Sequence, residues 1–179
     1  DYAKLTLAPR SPDLRRFIDL LPAGARVLDL GCGPAAASAQ MRDAGLRPDP
    51  VDASTAMVAL ANETYDIGAR LGTFEDISGD YDGVWANFSL LHATAEDQKR
   101  YIQMIADVLP KGGAFHVGLK TGSGTARDAL DRRYTYVTVD GLHDLLANAG
   151  FDVKNTRTGV DTALAGTEDP YVICLSQKA

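Results

Sequence analysis

Glycines and an acidic residue meet at the end of a short apolar run near the start of the chain. The stretch VLDLGCG places Asp29 two positions before Gly31, and Cys32 and Gly33 follow. Glycines at such a turn let a ligand approach the backbone closely, as they do in many nucleotide-binding folds. A carboxylate at this turn would repel a pyrophosphate and attract a cation. The turn therefore favours S-adenosylmethionine, which carries a sulfonium and an ammonium group and no phosphate.

Further acidic residues are spaced for an adenosine-type ligand. Asp52 lies about 20 residues beyond the glycines, the spacing at which an acid reaches ribose hydroxyls in such folds. Ala53 and Ser54 follow it directly. Glu75 and Asp76 come after the next predicted strand, where a carboxylate could accept a hydrogen bond from an adenine amino group, and Asp76 is preferred for this role.

Candidates for the reaction itself lie further along the chain. His92 follows the fourth predicted strand on the ligand side of the sheet. There it could contact an acceptor or act as a base. The alternative is that it is a polar residue that leads into the next helix. His116 is predicted to be a hydrogen-bonded core residue and His143 a solvated one. Cys32 has no histidine or metal partner beside it and is predicted to pack rather than react. A group of residues after the fifth predicted strand forms either a basic pocket for an anionic acceptor or a solvated loop: Lys120, Arg127, Arg132, Arg133 and Tyr134.

The composition excludes several classes of protein. The 179 residues carry a formal net charge of −6, which disfavours a broad electrostatic contact with nucleic acid or an anionic membrane. Cys32 and Cys174 are far apart and form no CxxC pair, so we predict neither a disulfide framework nor a metal site. No apolar run is long enough to cross a bilayer and no signal-peptide core is present, so the expected location is the cytoplasm. The sequence predicts no particular oligomeric state.

Apolar runs and helical stripes alternate along the chain. Strands are predicted at 26–30, 49–52, 69–74, 81–86, 114–119, 151–158 and 170–177, and helices at 34–44, 54–63, 94–109 and 139–149. This alternation predicts a mainly parallel sheet with helices on both faces. The linker between the last two strands is too short for a crossover helix, so they are predicted to pair antiparallel. A single domain is predicted over 1–179, with 1–22 as a helical lead-in.

Taken together, these motifs resemble the class I S-adenosylmethionine-dependent methyltransferases. The resemblance is carried by VLDLGCGP (27–34), VDAS (51–54), TFEDIS (73–78), YDGVWANFSLLH (81–92), LPKGG (109–113) and AGF (149–151), and it covers nearly the whole chain after residue 13. Within the family, YDGVWANFSLLHAT and KTGSGTARDALDRRYTYVT are most similar to small enzymes of the tellurite-resistance and small-molecule type. The resemblance implies a Rossmann-like α/β sandwich with a seven-stranded, mostly parallel sheet and an antiparallel last strand.

The resemblance also implies a cofactor site at the carboxyl ends of the first four strands. Its residues are Asp29, Gly31, Cys32, Gly33, Asp52, Ala53, Ser54, Glu75, Asp76, Asn87, Phe88 and Ser89. Asn87 would offer its backbone to the amino-acid end of the cofactor, and Tyr2 would correspond to an aromatic residue that closes the pocket. Two positions depart from the family pattern: Ala35 replaces the last glycine of GCGxG, and Gly83 replaces an apolar residue of the fourth strand.

The implied function is methyl transfer from S-adenosylmethionine to a small-molecule acceptor, either a metabolite or a metalloid oxyanion, by in-line displacement. The protein has to align donor and acceptor and exclude water, and it needs a base such as His92 only if the nucleophile starts protonated. One alternative is an NAD-dependent oxidoreductase, which Gly31, Gly33 and Asp52 would serve but Asp29 opposes. The other is a non-catalytic domain that binds S-adenosylmethionine.

Overall fold

A computed structural model describes residues 11–127, 131–162 and 168–179 of the protein. Its strands are β1 (Arg26–Leu30), β2 (Arg47–Asp52), β3 (Arg70–Leu71), β4 (Gly83–Asn87), β5 (Ala114–Lys120), β6 (Thr125–Arg127), β7 (Arg133–Thr135), β8 (Phe151–Thr162) and β9 (Glu168–Lys178). Its helices are α1 (Pro12–Asp19), α2 (Ala36–Asp43), α3 (Thr55–Tyr65), α4 (Ala95–Asp107) and α5 (Val139–Asn148). Tyr2 lies outside the described residues.

Seven of the strands form one sheet in the order β3-β2-β1-β4-β5-β9-β8. The first five strands of this order pair in parallel, whereas β9 runs antiparallel to both of its neighbours. This confirms the predicted seven-stranded, mostly parallel sheet and the antiparallel pairing of the last two strands. The strand order reverses direction between β1 and β4, and ligands of such sheets bind at the carboxyl ends of the strands beside that reversal.

Four of the five α-helices in the described residues begin at a capping side chain, and α2 is the exception. Ser54 and Thr94 accept hydrogen bonds from Met57 N and Asp97 N at the starts of α3 and α4. The α4 helix then buries Ile102 and Ile105 completely on one face, as its apolar stripe predicted. Local sequence signals and tertiary packing therefore agree for these elements.

Several boundaries differ from the prediction because the chain turns earlier or pairs further than its sequence pattern indicates. Helix α2 begins at Ala36 rather than at residue 34, because Ala35 adopts a left-handed conformation with φ 60°. Strand β3 spans two residues only, since Thr73 caps a short 3-10 turn over Phe74–Asp76. The strands β8 and β9 are longer than predicted, and a separate hairpin of β6 and β7 was not predicted at all.

Gly83 makes room for the N-terminal helix rather than for a ligand. A Cβ atom at Gly83 would lie 2.9 Å from Cζ of Phe17, which is fully buried under α1. The Phe17 ring also meets the edge of Trp85, with ring centroids 5.3 Å apart. The departure from the family pattern at Gly83 thus follows from the packing of α1 on β4. None of the helices within the described ranges is both long and apolar enough to span a bilayer.

Candidate active site

Two adjoining cavities open at the carboxyl ends of the parallel strands. The large cavity, of about 430 Å³, lies at the ends of β1, β2 and β4, and the small cavity, of about 250 Å³, lies beyond β4 and β5. Phe88, His92 and Arg132 line both of them. Six of the residues predicted for the cofactor line the large cavity: Gly31, Asp52, Ala53, Ser54, Phe88 and Ser89. The structure therefore brings half of the predicted cofactor residues into one cavity.

The turn after β1 is fixed by contacts with two neighbouring strands. Gly31 N and Cys32 N both donate hydrogen bonds to Val51 O of β2, at 2.8 Å and 2.9 Å. On the other side, Ser89 Oγ donates to Leu30 O at 2.6 Å. Gly31 has φ 75°, and a Cβ atom there would overlap Cβ of Ser89. The glycine is therefore required by the close approach of the segment after β4.

Backbone amides orient the Asp52 carboxylate at the wall of the large cavity. Gly33 N donates to Oδ2 and Ser54 N donates to Oδ1, both at 2.8 Å. An ionised carboxylate can accept about four hydrogen bonds, so each oxygen retains the capacity to accept another. Asp52 thus retains acceptor capacity at the wall of the large cavity, and its contact with ribose hydroxyls stays a prediction.

Asp29 lies beneath the turn and lines neither cavity. Its side chain is buried and accepts a hydrogen bond from Ser38 Oγ at 2.7 Å. Burial raises the pKa of Asp29 to about 7, although the Ser38 hydrogen bond opposes the shift. Burial, together with the nearby charges of Asp29 and Asp52, also raises the pKa of the Cys32 thiol. Cys32 is therefore held as a neutral thiol, while a direct contact of Asp29 with the cofactor stays a prediction.

The raised pKa of Asp29 makes the stability of the protein depend on pH. The folded state retains a proton up to about pH 7, whereas the unfolded state releases it above its ordinary pKa of 3.8. The contribution of Asp29 to the free energy of unfolding of the wild type therefore falls as pH rises from 3.8 to about 7 and is constant above it. Asp29→Asn removes this loss, so its advantage over the wild type is expected to grow by about 2 kcal/mol between pH 5.5 and 8.5.

Urea unfolding of both proteins across this pH range measures the difference. Ser38→Ala serves as the control, because loss of its hydrogen bond should raise the Asp29 pKa further and move the pH-dependent window upward. A stability difference between Asp29→Asn and wild type that does not change with pH would show that Asp29 is ionised throughout.

The acids predicted for adenine are engaged elsewhere. Asp76 Oδ2 accepts hydrogen bonds from Thr73 N at 2.7 Å and Thr73 Oγ1 at 3.1 Å, which closes the cap of the 3-10 turn. Glu75 pairs with Arg100 and accepts a hydrogen bond from Tyr101. Thr73 and the apolar ring of Phe74 line the large cavity in their place. The residues of the TFEDIS motif that line the cavity are thus Thr73 and Phe74, and an adenine contact of Glu75 or Asp76 stays a prediction.

The segment after β4 separates the two cavities. Phe88 has φ 56°, a strained conformation for a residue with a side chain, and its ring lines both cavities. Asn87 lines neither cavity and is exposed at the strand end, where its Oδ1 lies 3.0 Å from Nε2 of His116. His116 is fully buried and hydrogen-bonded, as predicted.

The ring of His92 is held by a hydrogen bond to the backbone of β7. Its Nδ1 lies 2.8 Å from the Arg133 carbonyl oxygen, which can only accept, so Nδ1 carries the proton. The lone pair is therefore on Nε2. The ring also meets the edge of Tyr134, with ring centroids 5.1 Å apart. This arrangement fixes both the tautomer and the place of His92 at the junction of the two cavities.

The small cavity has aromatic walls and balanced charges. Lys120 forms an ion pair with Asp169 and lies over the ring of Tyr134. Asp161 and Tyr171 complete the wall opposite Phe88 and His92. Of the predicted basic group, Arg127 pairs with Asp131, and neither Arg127 nor Arg133 lines this cavity. Asp161 and Asp169 were missed because they lie beyond the predicted bounds of the terminal strands, whereas Tyr171 lies within the predicted strand 170–177 and no sequence signal marked it as a site residue.

Comparisons with known proteins agree with this architecture. Residues 27–113 match the family described as a methyltransferase domain. A relative from Staphylococcus carnosus (strain TM300), named an uncharacterized methyltransferase, is 30% identical over 90 residues, which are 49% of this chain and 44% of the relative. The matched segment thus spans less than half the length of that relative.

Two solved structures are similar over most of the chain. The 1,6-didemethyltoxoflavin-N1-methyltransferase of Burkholderia thailandensis, solved with bound 1,6-didemethyltoxoflavin and S-adenosylhomocysteine, is 23% identical with a TM-score of 0.76, covering 94% of this chain and 77% of that one. TehB of Haemophilus influenzae is 14% identical with a TM-score of 0.81, covering 99% of this chain and 66% of that one. At these identities the likeness shows the fold alone.

The sheet order and the glycine turn define the class of the protein as a Rossmann-like fold of the methyltransferase type. The family match agrees with the resemblance found in the sequence: residues 27–113 match the methyltransferase-domain family.

Proposed function

We propose that the protein transfers a methyl group from S-adenosylmethionine to a small-molecule acceptor. The observation that carries the proposal is the pair of adjoining cavities that share Phe88, His92 and Arg132. A methyl transferase requires a donor site and an acceptor site in direct contact, because the reacting atoms have to be held in line. The large cavity suits the donor and the small cavity suits the acceptor.

The large cavity suits S-adenosylmethionine better than a dinucleotide. Asp52 offers acceptors for ribose hydroxyls, and Phe74 with Val51 offers an apolar wall for a flat ring. At the turn where a dinucleotide would place its pyrophosphate, the Gly33 N–H is already donated to the Asp52 carboxylate, whose negative charge repels an anion. The alternative of an NAD-dependent oxidoreductase is therefore not favoured.

The residues at the junction supply what the reaction needs beyond the cofactor. Bound S-adenosylmethionine supplies an activated methyl group on a good leaving group. Phe88 and the walls of the two cavities align the reactants and exclude water. Nε2 of His92 accepts the proton of an N–H or O–H nucleophile as it attacks.

The small cavity favours an acceptor of this protonated kind over a metalloid oxyanion. The positive charges of Lys120 and Arg132 are balanced there by Asp161 and Asp169, so the wall carries no net positive charge to hold an anion. Asp161 and His92 instead present hydrogen-bond acceptors between aromatic rings. We therefore expect a small amine or hydroxyl compound with a planar apolar part.

Calorimetric titration tests the donor half of the proposal. S-adenosylhomocysteine and S-adenosylmethionine are expected to bind, and NADH is not. Tight NADH binding without binding of either sulfur nucleoside would support the oxidoreductase instead. The acceptor half is tested by incubating the protein with S-adenosylmethionine and a panel of small amines and phenols. Mass spectrometry then looks for a gain of about 14 Da, the mass of the CH₂ unit that one methyl transfer adds. Cofactor binding without any methylated product would favour the non-catalytic domain.

A further inference from the structure

His116 lies in the core of the sheet, in surroundings that would suit an apolar aromatic side chain. His116 of β5 is fully buried, and its ring stacks on Trp85 with centroids 3.5 Å apart and planes 12° from parallel. The Phe17 ring of α1 packs edge-on against both rings of this stack, with its centroid 5.3 Å from that of Trp85 and 6.5 Å from that of His116. Burial lowers the pKa of His116 to about 3, so the ring is neutral at physiological pH.

The imidazole makes one hydrogen bond and leaves one nitrogen unpaired. Nε2 of His116 lies 3.0 Å from Oδ1 of Asn87. An amide oxygen only accepts, so Nε2 carries the proton and the lone pair is on Nδ1. Nδ1 is buried and has no hydrogen-bond partner among the described residues, which costs free energy. The opposite amide orientation would leave a buried N–H donor unpaired at Nδ1, a rarer arrangement still.

The bond to His116 determines which way the Asn87 amide faces. Oδ1 of Asn87 is held over β5, where a Cβ atom at Gly118 would lie only 3.0 Å from it. Nδ2 then presents its two N–H donors at the carboxyl end of β4, where the side chain is exposed and makes no hydrogen bond through Nδ2 within the described part of the chain. This end of β4 leads directly into Phe88 and Ser89 of the large cavity, and Ser89 packs on Gly31.

Two amide donors at the carboxyl end of β4, next to Phe88 and Ser89 of the large cavity, are complementary to a carboxylate. Asp52 and Phe74 occupy the β2 and β3 end of the large cavity, which the proposed function gives to the ribose and adenine. A ligand that extends from there toward β4 brings its amino-acid end to Asn87. We propose that His116 is a positioning residue that turns the Asn87 amide so that Nδ2 binds the carboxylate of the S-adenosylmethionine amino-acid end. The inference rests on the proposed function.

Two ligands that differ only in this end test the inference by calorimetry. S-adenosylhomocysteine carries the amino-acid end, whereas 5′-methylthioadenosine shares the adenosine and thioether but lacks it. Asn87→Asp keeps an acceptor for His116 but replaces the donors with a negative charge, and it changes an exposed side chain. His116→Phe removes the bond to Asn87 while keeping a ring in the stack, and it should fold at least as stably as the wild type.

In each variant the affinity for S-adenosylhomocysteine is expected to fall at least about tenfold, whereas the affinity for 5′-methylthioadenosine should change by less than about threefold. His116→Phe should add no further loss in the Asn87→Asp background, since both act through one amide. Unchanged affinity for S-adenosylhomocysteine, or an equal loss for both ligands, would overturn the positioning role. Failure of the wild type to bind either ligand would instead overturn the proposed function. If His116→Phe does not fold, Asn87→Asp alone decides, because its effect on the two ligands remains measurable.

Discussion

Gly31→Ala is expected to lower the free energy of unfolding by about 2–5 kcal/mol. The new methyl group would overlap Cβ of Ser89, and overpacking of this kind costs about 1–3 kcal/mol. In addition, Gly31 has φ 75°, and a residue with a side chain pays about 1–2 kcal/mol in the left-handed region. Chemical denaturation followed by circular dichroism measures the loss.

Gly33→Ala is the matched control in the same turn. Gly33 also has positive φ, 52°, but a Cβ atom there would meet nothing within 4 Å. It is therefore expected to lose only the conformational part, about 1–2 kcal/mol. Combining Gly31→Ala with Ser89→Gly removes the overlapping atom and should recover part of the loss. Equal destabilisation by the two alanines would mean that the Ser89 contact does not limit the position.

Asp52→Asn is expected to lower the affinity for S-adenosylhomocysteine at least about 100-fold. Hydrogen bonds to a charged acceptor contribute about 1.5–3 kcal/mol each, and a ribose offers two hydroxyls to this carboxylate. The amide also places an N–H group opposite the N–H of Gly33 or Ser54, so the side chain loses its fixed orientation as well. Titration calorimetry with the folded variant measures the affinity.

Asp76→Asn separates the role of Asp76 from that of Asp52, which the sequence analysis also proposed for an adenosine ligand. Its carboxylate caps Thr73 and does not line the large cavity, so the affinity for S-adenosylhomocysteine should change by less than about threefold. A large loss for Asp76→Asn with little loss for Asp52→Asn would reverse the assignment and restore the adenine contact predicted from the sequence.

Local sequence patterns were sufficient to predict the elements whose defining residues lie close together in the sequence. The Ser54 and Thr94 caps are formed by residues three positions apart, so the sequence contains all of their information. The short linker between β8 and β9 likewise excluded a crossover connection. In contrast, Ala35 gives no sign in the sequence of its positive φ, because the turn around it is set by β1 and β2 together.

The sequence by itself determined the class of fold, the glycine turn and the place of Asp52 beside that turn, since spacing along alternating strands fixes which residues reach one sheet edge. Only the tertiary structure decided which of those residues face a cavity. In the folded protein Asp29 lies beneath the turn, where it accepts a hydrogen bond from Ser38. Glu75 forms an ion pair with Arg100, and His92 contacts the backbone carbonyl of Arg133. The physical reason is that a hydrogen-bonding side chain takes whichever partner folding brings within reach, and such partners lie 9 to 41 residues away.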